Sequence, residues 1–289
     1  MLQQQKLRRL SVLVAGLIFA IGVAQAQNNG NGNGNGNGNN EGNAKNGCGN
    51  LPNQPTLQAA LTAATAAETS GLKLQMWATI VDRDGIVCAV AFTGVNRGAE
   101  WPGSRVISAQ KANAANSFSL DSSSASNGSG DPHGLALSTA NLYSAVQPGG
   151  SLYGLATSNP VDTSVAYAGP SSLYGTPADP MVGNKIGGVN VFGGGLALYG
   201  PNHQILGALG VSGDTSCTDH YKAWRTRHNL NLDYLAGVDG VSGDTARPDN
   251  IVFDIAPNMY GGTGISTGGF GHPTCLGQPA APSTLPAVR

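Results

Sequence analysis

Two windows of this chain are near-continuous runs of apolar and small residues, and both are built for strands. Met76-Trp77-Ala78-Thr79-Ile80-Val81 and Ile86-Val87-Cys88-Ala89-Val90-Ala91-Phe92 are rich in β-branched and aromatic residues. Asp82-Arg83-Asp84-Gly85 between them ends in an Asp-Gly turn signal, so the pattern predicts a hairpin over 76–93. Asp82 and Asp84 serve the turn, because the other ligands of a calcium loop are missing. A second hairpin is predicted over 187–214. Its first strand runs to Tyr199, Gly200-Pro201-Asn202-His203 makes the turn, and the returning strand begins at Ile205. That strand stops at the small-residue corner Val211-Ser212-Gly213-Asp214.

Three stretches change to a helical period. Over 55–70, Leu57, Ala60, Leu61, Ala64 and Ala67 share one face, and Gly71 suits the position just past a helix end. A second helix is predicted over 102–118, with Lys111 among small residues, and a third over 218–230. Residues 250–256 read as a short strand or an ordered tail. By themselves these elements make a domain of mixed helices and strands.

Residues 119–185 follow neither period. They are rich in Ser, Gly, Pro and Tyr, with a short echo in Ser151-Leu152-Tyr153-Gly154 and Ser172-Leu173-Tyr174-Gly175. Two copies are too few for a solenoid. The expectation is a loop-rich insertion over one edge of the domain, whose tyrosines either pack the loop or line a ligand pocket. Residues 259–271 are Gly-rich, and 279–289 are expected to form a frayed, disordered tail.

The first residues carry an address rather than a fold. Lys6, Arg8 and Arg9 precede an apolar run of 14 residues, 10–23, and Ala24-Gln25-Ala26 forms an A-x-A site. This predicts a signal peptide over 1–26 and a mature chain that starts at Gln27. The run is shorter than the roughly 20 apolar residues of a membrane span, and no later segment is apolar enough to cross one. Residues 27–47 are almost pure Asn and Gly and predict a flexible linker, leaving one domain over 48–278. Loss of three positive charges with the signal takes the net charge from −1 to about −4. So acidic a surface argues against nucleic acid as a partner.

A secreted or periplasmic location makes the even cysteine count meaningful: Cys48, Cys88, Cys217 and Cys275 predict two disulfides. Three pairings are open. Cys48 and Cys275 flank the body of the domain, so Cys48–Cys275 is the expected closure, with Cys88–Cys217 as the second bridge. No C-x-x-C spacing points to zinc.

The densest chemistry lies on the third helix: Asp219, His220, Tyr221, Trp224, Arg225, Arg227 and His228. His220, Trp224 and His228 fall at i, i+4 and i+8 and share one stripe. The two histidines are about 12 Å apart along the axis, too far for one metal ion. The plain alternative is a half-buried stripe with solvated charges. His133 and His272 sit in loop sequences, and His203 lies in the second hairpin turn. Gly264-Ile265-Ser266-Thr267-Gly268 matches G-x-S-x-G but lacks the preceding apolar strand and following helix of a nucleophile elbow. Gly193-Gly194-Gly195 lacks dinucleotide-site spacing and reads as a close approach or a bulge.

The hairpin at 76–93, the helix containing Gln110-Lys111-Ala112, and the strand end from Gly207 to Asp214 together resemble the secreted branch of the GlcG/HbpS-like haem-binding (haem-degrading) family. The resemblance spans about two thirds of the chain. It implies an α+β fold, one antiparallel sheet with helices packed against it, that assembles into homo-oligomers and takes haem or a related tetrapyrrole, with haem breakdown or iron binding in some members. In that reading His220 is the iron ligand, Trp224 lies against the porphyrin, Arg225 or Arg227 pairs with a propionate, and His228, Lys111 and Asp219 complete the surroundings. The expected role is an exported haem-binding protein for uptake, buffering or sensing. A small-molecule enzyme and a cofactor-free oligomeric interaction module are the alternatives.

Overall fold

The computed structural model describes residues 47–125, 132–259 and 264–289. The predicted signal peptide, and the predicted linker apart from Gly47, lie outside the described residues.

Asn53 opens the first helix, α1 (Gln54–Ala67): its side chain accepts the Thr56 N–H, and Pro55 occupies the first turn. The helix ends three residues before the predicted 70, where Glu68 turns extended. The first hairpin forms as β1 (Trp77–Asp82) and β2 (Val87–Phe92). Asp82 holds its turn by accepting N–H groups from Asp84 and Ile86. Next come α2 (Ser104–Phe118), a two-residue strand β3 (Leu135–Ala136), and two one-turn helices, α3 (Leu142–Ala145) and α4 (Thr163–Ala166). The second hairpin is β4 (Gly195–Tyr199) and β5 (Ile205–Ser212). Residues 187–194, predicted as strand, are not. Gly187, Gly188 and Gly194 take positive φ, which bends the chain before it joins the sheet.

The helix α5 (Ser216–Asn229) starts two residues earlier than expected. Beyond it lie the two-residue strands β6 (Asp239–Gly240), β7 (Ile255–Ala256) and β8 (Ile265–Ser266). Only the last two residues of the predicted 250–256 strand pair, with β8.

The four long strands form one antiparallel sheet in the order β2-β1-β5-β4. Alternation along β1 divides its side chains between two cores. Ala78 and Ile80 join Leu57 and Leu61 of α1 and Tyr221 and Trp224 of α5. Trp77 and Val81 join Val106, Ala109 and Ala112 of α2. The sheet therefore lies between α2 on one face and α1 with α5 on the other. Its strands are buried on both faces. Small residues bring α2 close: a Cβ at Gly210 of β5 would lie 1.9 Å from the Ser108 carbonyl oxygen, so this position admits only glycine. The second half of the insertion packs on the α2 side, where Ala166 and Met181 join that core.

Two expectations are corrected. The disulfides are Cys48–Cys88 and Cys217–Cys275, with Cα separations of 5.3 and 6.0 Å. Cys48 lies in a short 3₁₀ turn whose Gly47 N–H is held by Asp82, which sets it beside β2 rather than near the C-terminus. The C-terminal segment instead crosses the first turn of α5, where Cys275 meets Cys217. The second correction is the tail. Residues 279–289 pack in place: Leu285 is buried in the main core, Tyr221 Oη donates to the Ala280 carbonyl and Trp224 Nε1 to that of Pro286. The Arg289 N–H donates to the Asp233 carbonyl.

Candidate functional site

The α5 side chains are brought together on one helix but face different partners. Asp219 reaches toward the sheet end. Its Oδ1 accepts the Asp214 N–H at 2.8 Å, and its Oδ2 accepts from Lys111 Nζ at 2.7 Å. The same ammonium donates to the Val211 carbonyl at 3.0 Å and lies 4.1 Å from the Phe192 ring centre. Gly194 makes the room for it; a Cβ there would lie 3.1 Å from Nζ. Both groups are fully buried. Burial pushes the Asp219 carboxyl up to about 6 and lowers the Lys111 ammonium, each against the pull of the other.

His220 is also fully buried. Its Nε2 lies 3.2 Å from both the Ile251 N–H and Asn250 Oδ1, and it serves one of them according to tautomer. Its Nδ1 has no hydrogen-bond partner among the described residues. Burial depresses its pKa to about 4, despite nearby Asp249, so the imidazole is neutral at pH 7. Trp224 packs in the core with the Arg227 guanidinium 4.6 Å from its ring centre. Arg227 forms a two-point pair with Asp249 at 2.6 and 2.9 Å. Arg225 reaches Glu68 at 3.4 Å, and His228 Nδ1 reaches Asp233 at 2.7 Å. Lys111, His220, Trp224, Arg225 and His228 thus do not converge on a common space. Each is engaged in holding α5 to the sheet, to the end of α1 or to the chain that follows α5.

The loop histidines separate into three roles. His203, at φ 58° in the hairpin turn, has Nδ1 3.1 Å from the Tyr234 carbonyl. His133 pairs with Asp239 at the surface, 3.3 Å away. His272 is buried, with Nε2 2.6 Å from Ser216 Oγ and Nδ1 2.7 Å from the Pro273 carbonyl. Ser216 Oγ in turn accepts the Gly193 N–H at 2.6 Å. Burial holds the His272 imidazole well down, at about 4. Cys217, Cys275 and His272 bring three soft donor atoms within 4.8 Å of one another, but the two sulfurs are joined in the disulfide. Ser266 of the G-x-S-x-G match donates to Asp254 at 2.7 Å and accepts the Gly271 N–H, which is loop bracing.

Open space lies elsewhere. A cleft of about 850 Å³ opens between the α3 turn with the residues after it and the β7–β8 hairpin. Ile255, Ile265, Phe270 and Pro273 give it apolar walls, and Tyr143 and Ser144 line the α3 side. Two smaller clefts, of about 470 and 430 Å³, flank Trp77 and Tyr174. In the large cleft the Tyr143 ring rests on that of His272, with centres 4.9 Å apart, and its hydroxyl makes no hydrogen bond among the described residues. The polarity pattern along the chain does not single out Tyr143. The tyrosine content of the insertion was its one signal, because the cleft unites residues over 100 positions apart.

The description "Haem degrading protein HbpS-like" fits a family whose profile matches residues 55–225 of this chain. Two solved structures are similar. A Klebsiella pneumoniae protein, ORFY, of the family DUF336, is 24% identical with a TM-score of 0.37, covering 60% of this chain and 87% of its own. A PduOC:haem complex is 21% identical with a TM-score of 0.39, covering 62% of this chain and 91% of its own. No curated protein matches.

Proposed function

We propose that this chain, which belongs to the HbpS-like family of haem-degrading proteins, is an exported protein that binds haem or a related tetrapyrrole in the cleft between the α3 turn and the β7–β8 hairpin. The observation that carries the reading is the cleft. Its volume falls in the roughly 300–1,000 Å³ range of cofactor pockets, with apolar walls and a few polar groups. Ile255, Ile265 and Phe270 would cover the macrocycle. Gln147, Asn258 and Ser144 would stand at its polar edge.

Export rests on the predicted signal and on the two disulfides. No helix among the described residues is long and apolar enough to cross a membrane. When bound, the haem would supply redox-active iron. The part of this chain is to bind the group, shield its faces from water and hold its orientation. Enclosure keeps His220 away from this cleft. Its Nε2 is engaged by the Asn250–Ile251 segment, and His220 is not among the residues that line the cleft.

Titration of the purified, disulfide-intact protein with haemin tests the reading. Saturable binding with a shifted Soret band is the expected result. A spectrum equal to free haemin at every ratio overturns it and leaves the cofactor-free interaction module or an enzyme for another small molecule. Light scattering of the same sample reports whether a homo-oligomer forms, as the family resemblance implies.

A further inference from the structure

We infer that Tyr143 is the iron ligand in this cleft, its phenol oxygen taking one axial position on ferric haem; the inference rests on the haem-binding reading above. Haem iron is held by His, Cys, Met or Tyr side chains. Of these four residue types, Tyr143 is the one represented among the described residues that line the cleft. Its hydroxyl has no internal partner among the described residues, whereas the nearby histidine is fully committed. Both nitrogens of His272 are engaged, Nε2 with Ser216 Oγ and Nδ1 with the Pro273 carbonyl.

His272 is a positioning residue. Its ring is fixed by those two bonds and lies against the Tyr143 ring, so it sets the plane of the phenol without touching the ligand. The Cys217–Cys275 bridge is next to it, with Cys217 Sγ 3.9 Å from Nδ1, and ties that support to the first turn of α5. On the opposite wall, Ser266 and Gly271 are braced on one another and on Asp254. The ligand position is therefore held on a stiff support inside a loop-rich wall, as a ligating side chain requires. Binding is a proton exchange with no change of oxidation state. The phenol O–H bond breaks, its proton leaves to water, and the oxygen replaces a water on ferric iron.

The test compares haemin with metal-free protoporphyrin IX on the parent and on three variants, Tyr143→Phe, His220→Ala and Met259→Leu. Phenylalanine keeps the ring contact with His272, so Tyr143→Phe retains the fold. It should lose ferric haem affinity by at least roughly tenfold, the lower end of what removing even an outer partner costs a metal site. It should also lose the phenolate-to-iron charge-transfer band, while metal-free protoporphyrin still binds as in the parent. His220→Ala and Met259→Leu should leave haemin binding unchanged. Haemin binding by Tyr143→Phe equal to the parent overturns the inference, as does an equal loss of both porphyrins or a selective loss in His220→Ala or Met259→Leu. If the parent binds neither porphyrin, the haem-binding reading itself fails, and this inference with it.

Discussion

The sheet end around α5 and the cleft beside α3 are neighbours with opposite chemistry. Among the described residues the first holds three buried ion pairs, Lys111–Asp219, Arg227–Asp249 and Lys222–Asp214, while a fourth, Arg105–Asp179, lies on the other side of the sheet. Most polar groups there have an internal partner, with His220 Nδ1, Arg225 Nε and Arg227 Nε as buried exceptions. The second is walled by short strands, glycines and a one-turn helix, and keeps an unpartnered phenol at its surface. The density of charged, aromatic and imidazole side chains therefore marks the part of this molecule that is closed, and the sparse region is the one with room for a ligand. A buried charge must be paired to be tolerated at all, so a crowded stripe of ionisable residues on a core helix is committed to structure by its own desolvation cost.

The sharpest way to break this contrast is to orphan one of the buried charges. Lys111→Met leaves the Asp219 carboxylate in a fully buried site and should cost about 3–5 kcal/mol in urea unfolding. Arg225→Ala, at a half-buried pair with Glu68, should cost less than about 1 kcal/mol. Equal losses would show that burial does not separate the two classes.

Disulfide removal comes next. The loops closed by Cys48–Cys88 and Cys217–Cys275 have separations of 40 and 58 residues, so each bridge contributes about 4 kcal/mol in the chain-entropy model. The Cys217→Ser/Cys275→Ser double variant should in addition raise amide exchange across 264–273 while β1 and β5 stay protected. Equal loosening of the sheet would mean that the bridge supports the core rather than the cleft wall.

His220 gives a pH signature of the closed region. Its folded pKa of about 4 lies below the 6.5 of an unperturbed imidazole, so between those values the unfolded chain binds the additional proton. Its contribution is complete above pH 6.5 and is lost as the pH falls toward 4, to a ceiling of roughly 3 kcal/mol. Glu100, raised to about 7 by burial, and Asp219, raised to about 6, act in the opposite sense and lose stability as the pH rises through those values. The stability difference between the parent and His220→Gln isolates the histidine. It should move by that amount in the variant's favour from pH 7 to pH 4, and a difference independent of pH would refute the buried-neutral assignment.

The smallest stability effect belongs to the open region. Ser151→Trp, at an exposed position on the cleft, should change unfolding free energy by less than about 0.5 kcal/mol and yet block haemin by filling the space. Strong haemin binding by a folded Ser151→Trp protein would move the ligand out of this cleft.

Local sequence pattern was enough for the two hairpins, apart from 187–194, and for the three long helices, and the family resemblance supplied the α+β class. The short apolar runs at 76–81 and 86–92 and the helical spacing at 57–67 are local signals, and burial rewards them wherever the chain lies. The Lys111 helix and the Gly207–Asp214 strand end were legible for the same reason, and with them the family. What distance in sequence hides was decided by the tertiary structure. Cys48 pairs with Cys88 because a short turn is held at Asp82, and Cys275 reaches Cys217 because the C-terminal segment crosses α5. The same crossing buries Leu285 and orders a tail whose own composition predicts fraying. His220 looks like a ligand on a helical wheel, and only packing places Asn250 and Ile251 over it. Tyr143 has no local pattern to announce it. It becomes a candidate because residues 255–273 fold back beside it, and a cleft is a property of elements meeting in space rather than of any stretch of chain.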